Sequence, residues 1–223
     1  MNDRQAMNKD ETSNVSSEAT IRERNQARIL EAAESVFARH GYRGASIQAI
    51  AAAAGLPKSN VLYYVGSKRK LYLTLLERTM QRWNAMLSDI DADDDPAQVL
   101  EAFIRSKMAL SQTHPQSSRL FANEILHGAP FLKESLFDEM QTWVDSRAQV
   151  FRQWADRGLM DPVDPVWLIF LIWSATQHYA DFETQILAIT GREALGDEDY
   201  RRASDFLCEV ILKGCGIRTR ETT

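Results

Sequence analysis

Residues 46–68 read Ser-Ile-Gln-Ala-Ile-Ala-Ala-Ala-Ala-Gly-Leu-Pro-Lys-Ser-Asn-Val-Leu-Tyr-Tyr-Val-Gly-Ser-Lys. This pattern predicts two short helices joined by a tight turn. The first, Ile47 to Ala54, stops at Gly55, which supplies the left-handed backbone that such a turn needs. The second starts at Pro57, suited to the first helical position, and ends before Gly66. Ala51, Ala52 and Ala54 are small enough to let the helices cross closely. The second helix would then present Lys58, Ser59, Asn60, Tyr63 and Tyr64, a set of donors, hydroxyls and flat rings. These are the features of a helix-turn-helix with a recognition helix for the DNA major groove. The turn alone is equally compatible with an ordinary helical hairpin.

Charge separates the two readings. Residues 20–70 carry nine Lys/Arg and three acids, a net of +6, whereas residues 1–19 carry −2 and residues 71–223 carry −9. One basic end on an acidic chain points that end at a polyanion and leaves the remainder repelled by phosphate.

The 223 residues allow a small head on a larger body. No apolar run approaches the roughly 18–20 residues of a membrane span, so no membrane partner is expected. Residues 1–19 are polar, lack a signal-peptide core, and read as a disordered tail. Cys208 and Cys215 make no disulfide framework and have no partners at metal spacing, which suits reduced thiols in a cytoplasmic protein.

Helical spacing recurs along the whole chain, so the expected fold class is all-α, with about nine helices. Thr20-Ile-Arg-Glu23 is a capping box for a helix running to about His40, closed by Gly41 and Gly44. Further helices are expected over 67–87, 96–113, 115–127, 130–157, 165–190 and 197–213. The expected division is a tail at 1–19, a DNA-binding domain at 20–66, and a ligand-binding and dimerising domain at 67–223.

Enzyme chemistry finds little support. Asp89, Asp91 and Asp93 have the opening spacing of a calcium loop, but its sixth and twelfth positions are Asp94 and Leu100 instead of Gly and Glu. A capped linker is the better reading. The four histidines are scattered, and there is no phosphate-cradling Gly-rich loop or Gly-x-Ser-x-Gly elbow. No catalytic residue, metal or cofactor is assigned.

The segments Phe37-Ala-Arg-His-Gly-Tyr, Ser46-Ile-Gln-Ala-Ile-Ala, Gly55-Leu-Pro-Lys-Ser-Asn-Val-Leu-Tyr-Tyr and Ser67-Lys68 together resemble the TetR family of transcriptional regulators. The body is similar to the family's pyrimidine-utilisation branch through Pro115-Gln-Ser-Ser-Arg-Leu-Phe, Gly128-Ala-Pro, Asp164-Pro-Val-Trp-Leu-Ile-Phe and Trp173-Ser-Ala-Thr-Gln-His-Tyr-Ala-Asp-Phe. The chain departs from common family usage at Leu62, Val65 and Gly66, which touches operator contacts more than fold. The resemblance implies a regulator, repressor in sign, that binds double-stranded operator DNA through Lys58, Ser59, Asn60, Tyr63 and Tyr64, with Lys68 on a phosphate. It also implies a homodimer controlled by a pyrimidine-like effector.

Residue chemistry agrees with those roles. Lysine can donate to guanine, asparagine can pair with adenine, and tyrosine hydroxyls suit phosphates. In the body, Trp83 and Trp173 could sandwich a ring, Gln177 offers a donor and an acceptor to its edge, and Phe121 and Glu124 could complete the site. The alternative for each polar residue is a core position with satisfied contacts. The apolar helix 165–190 and the last helix, with Phe206, Val210 and Ile211, could form an intersubunit four-helix bundle. The rivals are a TetR-like regulator with an unrelated apolar or aromatic ligand, a helical enzyme with a basic head, and a non-specific DNA-binding protein.

Overall fold

The computed structural model describes residues 4–132 and 136–217, and among them every regular element is helical. Ten α-helices follow one another: α1 Arg4–Gly44, α2 Ile47–Ala54, α3 Lys58–Val65, α4 Lys68–Asn84, α5 Pro96–Thr113, α6 Pro115–Leu126, α7 Leu136–Asp156, α8 Pro165–Asp181, α9 Glu183–Thr190 and α10 Asp197–Gly214. A 3₁₀ turn, Ala85–Leu87, extends the end of α4. The chain divides into two compact units, Met1–Leu75 and Leu76–Thr223.

In the first unit, helix α1 starts at Arg4, well before the capping box at Thr20. The expected disordered tail therefore falls partly on residues 1–3, outside the described residues, and partly on helix. Residues 4–19 contain no Gly or Pro, so nothing in them stops a helix from running through Thr20. The other end matches its signal: the backbone leaves helical geometry at Gly41, with φ 64°. Buried Ile29, Ala33 and Phe37 form the inward stripe of α1. Ser46 caps α2 by accepting from the Ala49 amide at 3.0 Å.

The division between units falls inside α4 instead of before it. Tyr72 explains why the first turns of α4 go with the head. Its ring lies edge-on to Phe37 at 4.9 Å and tilted against Tyr42 at 5.0 Å, and Leu71 and Leu75 are buried beside it.

The second unit is built around α5 and α8. Helix α5 packs against α8 and α10, and α8 also packs against α6 and α7. The core joins Leu100, Phe103 and Ile104 of α5 to Leu168, Ile169 and Ile172 of α8, Phe151 and Trp154 of α7, and Ile211 and Leu212 of α10. Asp95 and Asp164 cap α5 and α8, each followed by a proline whose missing N–H costs nothing in the first turn.

One expected helix is two. Residues 165–190 bend at Phe182, where φ is −115° and ψ 25°, to give α8 and α9. Sequence gives no breaker there; a side chain from another helix supplies the partner. Arg119 of α6 donates to the Ala180 carbonyl at 2.8 Å and to the Glu183 carboxylate at 2.7 Å. It thus satisfies an end carbonyl of α8 and holds the first turn of α9. The acidic linker folds on itself. Asp94 accepts from the Asp91 amide and Asp91 from the Asp93 amide, both at 2.8 Å. Cys208 and Cys215 are buried, and burial pushes the Cys208 thiol up to about 11.

Candidate functional site

The first candidate surface lies on α3. Gly55 holds the turn, with φ 62°; its amide donates to the Ala52 carbonyl at 3.1 Å and the Leu56 amide to that of Ala51 at 3.0 Å. Arg28 of α1 also donates to the Ala54 carbonyl at 2.6 Å, fixing the end of α2. Pro57 precedes α3 as its cap, one position earlier than its expected first-turn place. Its ψ of 143° is extended, and its carbonyl accepts from the Asn60 and Val61 amides. Val61 and Val65 are buried and set the rotation of α3. That rotation leaves Lys58, Ser59, Asn60 and Tyr63 in solvent, with Tyr63 77% exposed.

Tyr64 is half-buried, and its hydroxyl accepts from Asn25 at 3.3 Å. Lys68 is half-buried with its ammonium 4.4 Å from the centre of the Tyr42 ring. Ser67 caps α4 by accepting from the Lys70 amide at 3.1 Å, which places Lys68 in the first helical turn.

The second candidate site is a cavity of about 480 Å³ within the Leu76–Thr223 unit. Trp83, Phe121, Trp173 and Gln177 all line it. Trp83 comes from the last turn of α4 and meets Phe121 of α6 edge-on at 4.9 Å. Trp173 of α8 lies against Trp143 of α7 at 6.0 Å, with the planes tilted by 31°. Glu124 is placed differently. It is buried outside the lining, and its carboxylate accepts from the Phe131 amide at 2.7 Å.

The cavity also takes residues not assigned to it from the sequence: Met80, Asn84, Met140, Trp143, His178, Asp181 and Phe182 among them. Asp181 had a readable signal. It follows Trp173 and Gln177 at four-residue steps, so the three share one stripe of α8. Trp143 and Met140 had none, because no sequence pattern says that α7 closes the cavity. Burial pushes the Asp181 carboxyl up, opposed by Ser118, Arg119, Lys107 and His178. Lys107 of α5 is 2% exposed, and its ammonium sits 4.1 Å from the centre of the Trp83 ring. Burial brings its amine down to about 7. The arrangement can hold a flat molecule by aromatic contact and hydrogen-bond its edge. Among the described residues no group of His, Cys, Asp and Glu could hold a metal ion.

Two helices leave apolar side chains uncovered. Trp167, Phe170 and Leu171 of α8 and Phe206 and Val210 of α10 are exposed, while Ile211, expected at the same surface, is buried in the core. No helix among the described residues is long and apolar enough to cross a membrane.

Comparison with known proteins agrees with both halves. Residues 29–75 match the profile for bacterial regulatory proteins of the tetR family, and residues 76–218 match that for the C-terminal region of YcdC-like proteins. The chain is 36% identical to the HTH-type transcriptional regulator RutR of Escherichia coli K12 over 186 residues, 83% of this chain and 88% of that one. It is 32% identical to the HTH-type transcriptional repressor SCO4008 of Streptomyces coelicolor over 152 residues, covering 67% and 75% of the two chains. Among solved structures, AibR in complex with isovaleryl coenzyme A and operator DNA shares the fold. Its TM-score is 0.63 at 21% identity, covering 83% of this chain and 97% of that one. The exposed helix of a helix-turn-helix, the all-helical body and these matches lead to one assignment: the protein belongs to the TetR family of transcriptional regulators.

Proposed function

We propose that this chain is a one-component, homodimeric repressor whose operator affinity is set by a small planar ligand of the pyrimidine class. The observation that carries the reading is the cavity. Trp83, Phe121, Trp173 and Gln177, picked out in the sequence for ring stacking and edge recognition, line a single space. It has the size and the mostly apolar lining of small-molecule sites. The pyrimidine itself follows from the resemblance of the body segments; the cavity supports a flat ring with a hydrogen-bonding edge.

Operator reading is assigned to Lys58, Ser59, Asn60 and Tyr63, with Tyr64 and Lys68 on the phosphate backbone. Their placement at one exposed helix and the cap that follows it supports this division. The dimer is assigned to the exposed apolar side chains of α8 and α10, since large apolar groups left in solvent on two helices suit a contact site. Two copies would read two half-sites about one DNA turn apart, roughly 34–36 Å, or a multiple of it.

Control runs through α4. This helix starts just after the recognition helix, and its last turns supply Met80, Trp83 and Asn84 to the cavity wall. Trp143 donates to the Asn84 carbonyl at 3.1 Å, so the wall of α7 is tied to the end of α4. A ligand that prefers one placement of α4 changes the separation of the recognition helices, and only such a preference can shift DNA binding.

A thermal-shift series over uracil, thymine, their reduced derivatives and unrelated aromatic compounds tests the ligand class. Binding to the folded state raises apparent stability by about 2.7 kcal/mol at a hundredfold excess over Kd. A rise for the pyrimidines alone supports the reading. A rise for unrelated aromatics alone transfers the site to another ligand class.

A further inference from the structure

The cavity is larger than a single pyrimidine ring needs. A pyrimidine dione has eight non-hydrogen atoms by its chemical formula. If each took the whole of a liquid water's share, about 30 Å³, the ring would fill roughly 240 Å³. That generous allowance is half of the 480 Å³ present. The walls are also asymmetric. The hydrogen-bonding side chains Ser174, Gln177, His178 and Asp181 come from α8, while α4 adds Asn84 and the indole N–H of Trp83. Opposite chemistry comes from α6 and α7, which give Ala122, Ile125, Leu126, Met140 and Trp143.

Water left in the apolar half would find few partners, and an apolar space of this kind favours an apolar occupant. An independent observation lies at the rim. Leu126 is 79% exposed, Phe182 54% and Ile125 40%, three large apolar side chains in solvent beside one cavity. Met140 adds a flexible side chain that can settle around different shapes.

We propose that the effector is a planar hydrogen-bonding ring carrying an apolar substituent. The ring lies along α8 at Gln177, and the substituent fills the space between α6 and α7 against Ala122, Ile125, Leu126 and Met140. This rests on reading the cavity as the effector site, and it names what that site selects: an alkyl- or aryl-substituted ring over the bare base. Trp143, with its indole N–H committed to Asn84, offers its apolar ring to the same region.

Calorimetric titration of the full chain with uracil, 6-propyluracil and 5-benzyluracil tests it. The expected result is that at least one substituted ring binds tenfold or more tightly than uracil, about 1.4 kcal/mol. Ala122→Leu, which fills the apolar half, should cancel that gain, so that the substituted rings bind no more tightly than uracil. Leu126→Gln, at an exposed position where folding is not at stake, should reduce the ratio of substituted-ring to uracil affinity. Equal affinities, or uracil binding with both substituted rings excluded, overturn the substituent proposal and leave the effector site standing. If none of the three binds, the reading of the cavity as a pyrimidine-class site fails, and this proposal with it.

Discussion

Lys107 shows how one residue can set a property of the whole chain. It is buried over the Trp83 ring, and burial brings its amine down to about 7. In the unfolded chain a lysine titrates near 10.4. Between these values the unfolded state binds more protons, so this residue makes stability rise with pH from about 7 towards about 10. Below 7 both states are protonated and the full cost of burying the charge is present. Lys107→Met should therefore raise the melting temperature at pH 7 and below, by at most on the order of 4 kcal/mol of stability, with the gain shrinking as pH rises. Thermal unfolding at pH 6 and pH 9 checks this; an equal effect at both sets the titration argument aside. On the DNA-reading helix, Lys58→Ala should weaken operator binding by ~1–3 kcal/mol and relax base preference. Lys68→Ala should weaken all sequences alike and reduce the salt slope by about one unit. Mobility shifts at several salt concentrations separate the two.

At the scale of elements, the turn and the bend make different demands. Gly55 sits at φ 62°, a conformation that costs an L-residue roughly 1–2 kcal/mol. A Cβ there would come 3.0 Å from the end of the Arg28 side chain, which also caps α2. Gly55→Ala is expected to lower stability by about that amount, read by denaturant unfolding. Arg119→Ala should loosen the start of α9 by removing the bonds to Ala180 and Glu183, seen as faster amide exchange in residues 183–190. Unchanged exchange there excludes Arg119 as the cause of the bend.

These two elements also mark what the sequence could reveal. Gly55, Ser46 and the small alanines of α2 act locally, so the helix-turn-helix is legible in the sequence. The bend at Phe182 is bridged by an arginine 63 positions away, and no local pattern encodes that contact. The same division holds for the cavity. Trp173, Gln177 and Asp181 share a stripe within one helix, whereas Met140 and Trp143 join them only through tertiary packing. Glu124 looked available because its partner, the Phe131 amide, comes from a loop beyond the helix end.

At the scale of the molecule, two assembly properties are expected: self-association and ligand control. Phe206 is 61% exposed, so Phe206→Glu leaves a single subunit's core intact while placing a charge on the proposed dimer surface. Sedimentation should show a dimer for the wild type and a monomer for the variant. A wild-type monomer at micromolar concentration counts against the assembly. The central claim is that a ring bound at Gln177 controls operator affinity through α4. The most direct measurement is operator affinity with and without saturating ligand, in the wild type and in Gln177→Leu, which keeps similar bulk and removes the edge hydrogen bonds. Ligand is expected to change wild-type operator affinity by about 5–150-fold, the usual range of allosteric coupling. Gln177→Leu should bind the operator normally and not respond. A full ligand response in Gln177→Leu, or ligand saturation that leaves wild-type operator affinity unchanged, would contradict that claim.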